Sequence, residues 1–322
     1  MKIRIEPFTE QKSKEWDDFV WNSNTGTLFH TRQFLKYHPP ERFEDTSLLF
    51  YKDTRLLALF PAVTLRQNKT KTLCSHRGSS YGGFVVKSPL SVKDAFRLVE
   101  DLLAFARENH FNSIELTPAP QIYLTRPNNY IDFALVLNNF IYKKREISSV
   151  IPLDFGVNQI LTTFSSPARR AVRRAQKLNV IVKESEDYAE FYQILQTNLK
   201  LRHNVTPTHT LNELLKLKTL FPERIKLFAA FAEQKMVAGV VMFICNQKVV
   251  LAFYISHRED FQHFRGVNLL FYEIIKWAIE CKYQFLDFGI FTVNMEPNWG
   301  LGRFKESFGA QGVFRDTFIK FL

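Results

Sequence analysis

Cysteine is scarce. Cys74, Cys245 and Cys281 are the only three in 322 residues, far apart and odd in number. That argues against a disulfide framework and a paired-cysteine metal site, and fits a reducing compartment. The eight histidines show no His-x-x-x-His or His-Glu-x-x-His spacing, so no metal site is expected. Long apolar runs are missing too. The longest candidate, residues 236–253, is interrupted by Asn246, Gln247 and Lys248 and reads as a hairpin, short of the ~20 apolar residues that cross a bilayer. The N-terminal Met1-Lys2-Ile3-Arg4-Ile5-Glu6 lacks the apolar segment and cleavage site of a signal peptide. A soluble, cytoplasmic protein without a transmembrane segment is expected.

What is present is apolar mass and positive charge. Hydrophobic residues make up 46% of the chain and phenylalanine alone contributes 32, enough for two cores rather than one. Most of those rings are expected to be packing. Lys and Arg number 43 against 32 Asp and Glu, a net charge of +11. The surplus favours an anionic partner: nucleic acid, a phosphorylated small molecule or an anionic membrane face.

The chain alternates strands and helices in two similar rounds. In the first, residues 3–5 read as a strand and 14–22 as a helix with Trp16, Phe19 and Val20 on one face. A second helix ends before Pro39-Pro40, and residues 47–51 and 56–64 read as paired strands. A loop with Gly78, Gly82 and Gly83 leads to residues 84–86. A helix over 91–109, N-capped by Ser91, and a strand over 113–117 close the round. In the second round, 148–153 is a strand, 158–177 is helical with a break near Ser166-Pro167, and 180–182 is a strand. Helices follow over 187–202 and 207–221. Residues 225–232, 236–245 and 249–256 form a three-strand meander. A helix over 266–281, a strand over 285–288, a helix near 302–308 and a strand over 313–321 finish the chain. This is an α+β pattern in duplicate, not a run of βαβ units, with a boundary between 138 and 156.

The chemistry concentrates in residues 249–309. A strand ending Phe253-Tyr254-Ile255-Ser256 leads through Phe264-Arg265-Gly266-Val267-Asn268 into a helix. The first amides of that helix, its macrodipole and Arg265 form a place for a phosphate or diphosphate. The same residues also suit a plain strand-to-helix bend. Further on, Asn298-Trp299-Gly300-Leu301-Gly302 precedes Arg303-Phe304-Lys305-Glu306-Ser307-Phe308. A lysine between two phenylalanines is either desolvated enough to meet a developing negative charge or one cation on an amphipathic helix.

Gly-x-x-Leu-Leu…Ile-x-x-Ala, then Asp287-Phe288-Gly289, then Gly-Leu-x-x-Phe-Lys-x-x-Phe-Gly over residues 300–309 resemble the C-terminal half of the FemAB-like group, which includes peptidoglycan-bridge aminoacyltransferases and other GNAT-like acyltransferases. Residues 168–177 with 180–182, and more weakly 27–31 and 79–83, are similar to other stretches of that group. The resemblance implies two tandem GNAT-like domains with mixed, largely antiparallel sheets flanked by helices: residues 1–145, joined by a last strand over 313–322, and residues 146–312, which carry the donor site. The acceptor would lie across the cleft between them. It implies an N-acyltransferase in which an amine attacks an acyl or aminoacyl group directly, without a covalent enzyme intermediate. Lys305 is then the catalytic candidate. Tyr254, Arg265, Gly266, Val267 and Asn268 are the donor-binding candidates, and Lys36, Tyr81 and Arg202 the acceptor-binding ones. Two departures stand out. The turn at 264–268 has one glycine where acyl-CoA-binding relatives carry two small residues, and Ile114-Glu115-Leu116-Thr117-Pro118 lacks the family's Ile-Asp-Pro carboxylate.

The donor implied is an acyl-CoA such as acetyl-CoA, or an aminoacyl-tRNA. The acceptor implied is a phosphorylated small molecule or sugar, a cell-envelope precursor. Arg169, Arg170, Arg173, Arg174 and Lys177 recur at helical spacing and make one basic face, which tRNA or a diphosphate could meet. The reading from a different class is a non-catalytic module that binds RNA or an anionic surface through residues 168–177.

Overall fold

The structure, a computed structural model, describes residues 3–203 and 206–322, with 201–203 described by backbone alone. It divides into two compact units, Met1–Glu146 with Phe314–Leu322, and Ile147–Val313.

In the first unit, strands Ile3–Pro7, Leu48–Lys52, Arg55–Phe60 and Val85–Val86 form an antiparallel sheet in that order. A second group runs Glu44–Asp45, Val63–Gln67, Thr70–Ser75 and Ser113–Leu116. It is completed by the end of Gln311–Phe321, whose Phe318–Phe321 pairs antiparallel with Ser113–Leu116. Helix Val92–Glu108 buries Ala95, Leu98, Val99, Leu102, Leu103 and Ala106, the three-and-four spacing that lays one stripe on a core. Ser91 caps it, accepting from the Asp94 amide. Three details depart from the sequence reading. Residues 56–64 are not one strand: Arg55–Phe60 and Val63–Gln67 belong to different sheets, and the change falls at Pro61, which has no N–H to give a ladder. The helix expected before Pro39 is a single turn, Arg32–Leu35. Helix Tyr130–Leu137 was not anticipated, because an apolar segment this short shows no period.

In the second unit the strand order is Ile181–Ser185, Ile225–Ala232, Lys235–Ile244, Val249–His257, Phe285–Ile290 and the Ser148–Pro152 part of Ile141–Pro152. The first four are antiparallel neighbours. Val249–His257 and Phe285–Ile290 are parallel, joined by the crossover helix Gly266–Glu280. That helix, with Ser166–Lys177, packs its Leu270, Phe271, Ile274 and Val172 into one core. Helix Tyr188–His203 lies against Lys235–Ile244 and Val249–His257. It comes so close that a Cβ on Gly239 would sit 2.4 Å from a ring carbon of Phe191. The helical region 158–177 breaks at Phe164-Ser165, where Ser165 Oγ accepts the Ala168 amide and Pro167 opens the next helix.

Candidate acyl-transfer cleft in the second unit

The two parallel strands part early. Among the described residues their pairing is confined to Val249–Leu251 with Phe285–Asp287. Two features act at that point. On one strand, Val241 pairs with Tyr254 and Met242 with Ala252, so Phe253 is the extra residue of a bulge, which bends its strand. On the other, Gly289 adopts φ +71°, a conformation an L side chain resists. The Asp287 carboxylate holds this bend: its Oδ1 accepts from the Gly289 amide at 2.7 Å and from Ser148 Oγ at 2.6 Å.

Lys305 locks the far side of the same bend. It comes from helix Trp299–Glu306, which Asn298 caps through the Leu301 amide. Its Nζ donates to the carbonyl oxygens of Gly289 at 2.7 Å and Ile290 at 2.8 Å. The side chain is 2% exposed. Burial lowers the Lys305 ammonium to about 8, opposed by the negative charge of Asp287.

Where the strands part, a cleft of about 580 Å³ opens. Leu195, Asn198 and Leu199 form one wall, and Val237, Ala238, Ile255, Ser256 and His257 form the floor. Phe261, Gln262 and Arg265–Asn268 close one end, with Asn298, Gly300, Leu301 and Phe304 at another side. Gly266 lets the crossover helix start directly on the sheet, since a Cβ there would stand 3.1 Å from Val237 Cγ2 and 3.4 Å from Ala230 Cβ. Arg265 precedes it in the left-handed region, φ 58°, and is exposed. The amides of Gly266 and Val267, the first of the helix, have no acceptor among the described residues. Two amides, the positive end of a 15-residue helix and a guanidinium therefore converge on one end of a cleft of mixed polar and apolar lining, an arrangement that suits a diphosphate followed by a less charged arm.

The structure gathers Arg265, Gly266, Val267 and Asn268 on this cleft. The other candidates sit elsewhere. Tyr254 is 8% exposed and belongs to a different cluster. Its hydroxyl accepts the His209 amide at 3.0 Å and lies 2.8 Å from His209 Nδ1, so it is no part of the cleft lining. Lys305 is next to the lining residue Phe304, yet its Nζ is turned into the strand bend. Tyr81 is not a loop-tip residue facing solvent: it is 1% exposed, edge-on to Phe29 and hydrogen-bonded to Tyr123. Lys36 is exposed and ion-paired with Glu10 at 3.3 Å. Arg202 falls in the last turn of Tyr188–His203, and its side chain lies outside the described residues.

Asn198 is a cleft residue that the sequence reading missed. Its Nδ2 donates to Ser256 Oγ at 2.9 Å and to the His257 carbonyl at 2.8 Å, pinning the end of the strand to the helix. Its signal was a polar residue at an inward helical position beside Leu195 and Leu199. Among the described residues, no group of three or more His, Cys, Asp or Glu is placed to hold a metal ion.

Known proteins agree with this geometry. Residues 164–306 match the acetyltransferase (GNAT) domain family, a span that contains every residue of the cleft. No curated protein sequence matches the chain. Among solved structures, FemX superposes with a TM-score of 0.76 at 13% identity, covering 99% of this chain and 97% of FemX. The L-PGS of Bacillus licheniformis gives 0.60 at 11% identity, over 96% and 91% of the two chains. A tandem GNAT protein from the clavulanic acid biosynthesis pathway gives 0.58 at 10%, over 99% and 98%. At these identities the likenesses establish the fold. The domain match places a GNAT acetyltransferase domain at residues 164–306 of the chain. The whole chain is FemAB-like in fold, and the domain match supports an N-acyltransferase.

Proposed function

We propose that this protein transfers an acyl group from an acyl-CoA thioester to an amine by direct attack. The observation that carries the reading is a cleft at the Ile255–His257 end of Val249–His257, beyond its pairing with Phe285–Ile290, that ends on the amides of Gly266 and Val267, which have no acceptor among the described residues, beside Arg265. The diphosphate of the donor rests on those amides and on Arg265, and the thioester arm runs along the floor. The amine nitrogen attacks the thioester carbon, the carbonyl oxygen takes the negative charge, and the C–S bond then breaks. The nitrogen loses one proton and the departing thiolate gains one. Lys305 acts in this scheme as a positioning residue, holding the Gly289–Ile290 bend that keeps the strands apart. A glycine at 266 fits the close approach to the sheet, where a Cβ would stand 3.1 Å from Val237 Cγ2.

The finer reading of the acceptor is an amine on a phosphorylated sugar or cell-envelope precursor, in keeping with the net charge of +11. An aminoacyl-tRNA is the alternative donor, and a cleft sized for a single arm favours the smaller one. The test is calorimetric titration of the whole chain with acetyl-CoA and longer acyl-CoAs, followed by thiol release in the presence of amino-sugar nucleotides. Saturable acyl-CoA binding that competes with CoA is expected. If no acyl-CoA binds while aminoacyl-tRNA does, the donor assignment falls. If neither binds, the site assignment falls with it.

A further inference from the structure

Helix Ser166–Lys177 has a face that acyl transfer does not use. Ala168, Val172 and Ala175 are buried against the core. Arg170, Arg173, Arg174 and Lys177 are exposed. They fall within an arc of roughly 100° and along roughly 10 Å of the axis. None of these four has an ion-pair partner among the described residues. The fifth cation, Arg169, is used internally, donating to the Phe164 carbonyl and to Ser166 Oγ. No acidic residue occurs anywhere in the helix.

Like charges three and four residues apart destabilise a helix; the dipole favours Arg174 and Lys177, which lie in its last turn, but not Arg170 and Arg173. No ion pair among the described residues offsets the repulsion of the four. The compensation therefore comes from outside, from a surface carrying several negative charges in a row. Two further residues indicate which surface. Leu178 ends the helix at 38% exposure, and Ile181 opens the next strand at 62%. That strand, Ile181–Ser185, is the outermost of its sheet, so the cationic stripe and the two aliphatic side chains lie along a margin of the unit. Single-stranded nucleic acid is gripped by aromatic platforms, and the exposed apolar groups here are aliphatic. A cationic face with aliphatic groups at its end matches an anionic bilayer, where the cations meet headgroups and the aliphatic groups enter the interface.

We infer that Arg170, Arg173, Arg174 and Lys177, with Leu178 and Ile181, form a docking surface for anionic phospholipid. This goes beyond the transfer reaction and does not depend on the identity of the donor.

The test is co-sedimentation of the whole chain with vesicles of phosphatidylcholine alone, and of phosphatidylcholine containing one quarter phosphatidylglycerol. Binding to the second only is expected, reversed at 1 M salt, where the Debye length falls to about 3 Å. Four Arg/Lys→Gln replacements at 170, 173, 174 and 177 should weaken vesicle binding by about a thousandfold, near five- to sixfold per cation. A Leu178→Ser/Ile181→Ser pair should weaken it by about tenfold while leaving the salt dependence in place. The thermal shift with acetyl-CoA should be the same in both variants as in the parent, which also shows that they fold. Equal binding to both vesicle types, or undiminished binding by the four-fold variant, overturns the proposal. So does tight binding to bulk tRNA or poly(U) with none to the anionic vesicles, which would make the stripe a nucleic-acid surface.

Discussion

Lys305 Nζ donates 2.7 Å to the carbonyl oxygen of Gly289, a residue with φ +71° at the point where two parallel strands separate. A buried ammonium thus secures a backbone bend from the helix that carries the cleft-lining residues Gly300, Leu301 and Phe304. The relationship spans 16 residues and places the lysine behind the site rather than in it. Lys305→Met keeps the volume and removes both donors, leaving two carbonyls unanswered. The expected result is a loss of acyl transfer of about a hundredfold, seen mainly in kcat. The circular dichroism spectrum should be retained.

The same group gives a pH signature. Burial holds the folded Lys305 at about 8 against an ordinary 10.5. Between these values the unfolded chain binds more protons than the folded one, so stability rises with pH. The cost of the buried charge is fully present below 8 and relieved by 10.5, a change of roughly 3 kcal/mol at most. Urea midpoints for the parent should therefore gain on Lys305→Met between pH 8 and 10. Parallel curves for the two proteins would contradict this.

The first unit carries devices of the same sign at lower pH. His30 and His76 are buried, and burial lowers them to about 4 and about 3 from 6.5. His30 Nδ1 accepts the Thr27 amide at 3.0 Å, and its Nε2 lies 3.1 Å from the Gly82 carbonyl, so the neutral ring is the form that fits. The unfolded chain binds the extra protons below 6.5, and stability is lost from there down to the folded values. At pH 5 each ring costs roughly 2 kcal/mol relative to neutral pH. Urea melts at pH 7 and pH 5 should show this loss, and His76→Asn should reduce it by about half. A profile flat to pH 5 would refute the protonation states.

Much of this architecture was legible, and the reasons are specific. Helix Val92–Glu108 announced itself through Ser91 and a three-four apolar stripe. The capping box of Thr210 with Glu213 is present. The meander from Ile225 to His257 showed in apolar runs punctuated by polar turns. The Arg265–Asn268 turn was visible because a glycine between a strand and a helix is a local signal. What was not legible depended on distance or parity. Tyr254 and Ile255 are adjacent, but only the structure tells which face meets the cleft, and the bulge at Phe253 resets the alternation. Tyr81 was an acceptor-binding candidate by resemblance alone, and its ring is enclosed by Phe29 and Tyr123. The partners of Lys305 are backbone carbonyls, which no side-chain pattern records.

Phe191 and Gly239 set the distance between helix Tyr188–His203 and the sheet, and with it the position of the Asn198 wall. A Cβ at 239 would stand 2.4 Å from Cδ2 of Phe191, and that ring is fully buried. Gly239→Ala should therefore destabilise by about 1–3 kcal/mol. It should also lower acetyl-CoA affinity by shifting Asn198 away from Ser256. Adding Phe191→Leu gives the new methyl room, so the double variant should regain most of the loss. A double variant no better than the single would mean that the helix is held by other contacts.

Arg265 separates stability from function at a single position. Its φ of 58° places a non-glycine residue in the left-handed region, at a cost of roughly 1 kcal/mol that glycine would not incur. Its exposed side chain caps nothing in the helix it precedes. An unfavourable backbone is thus retained under a guanidinium that the fold does not need, beside two helix-start amides with no acceptor among the described residues. Arg265→Gly relieves the backbone and removes the charge. The variant should melt at the same temperature as the parent or higher, while calorimetric affinity for acetyl-CoA falls about tenfold, as for one lost charge-assisted contact. Raising the salt should weaken donor binding less in the variant than in the parent, because one screened interaction is gone. If melting temperature and affinity fell together, Arg265 would be holding the turn rather than the donor, and the diphosphate would have to be placed elsewhere.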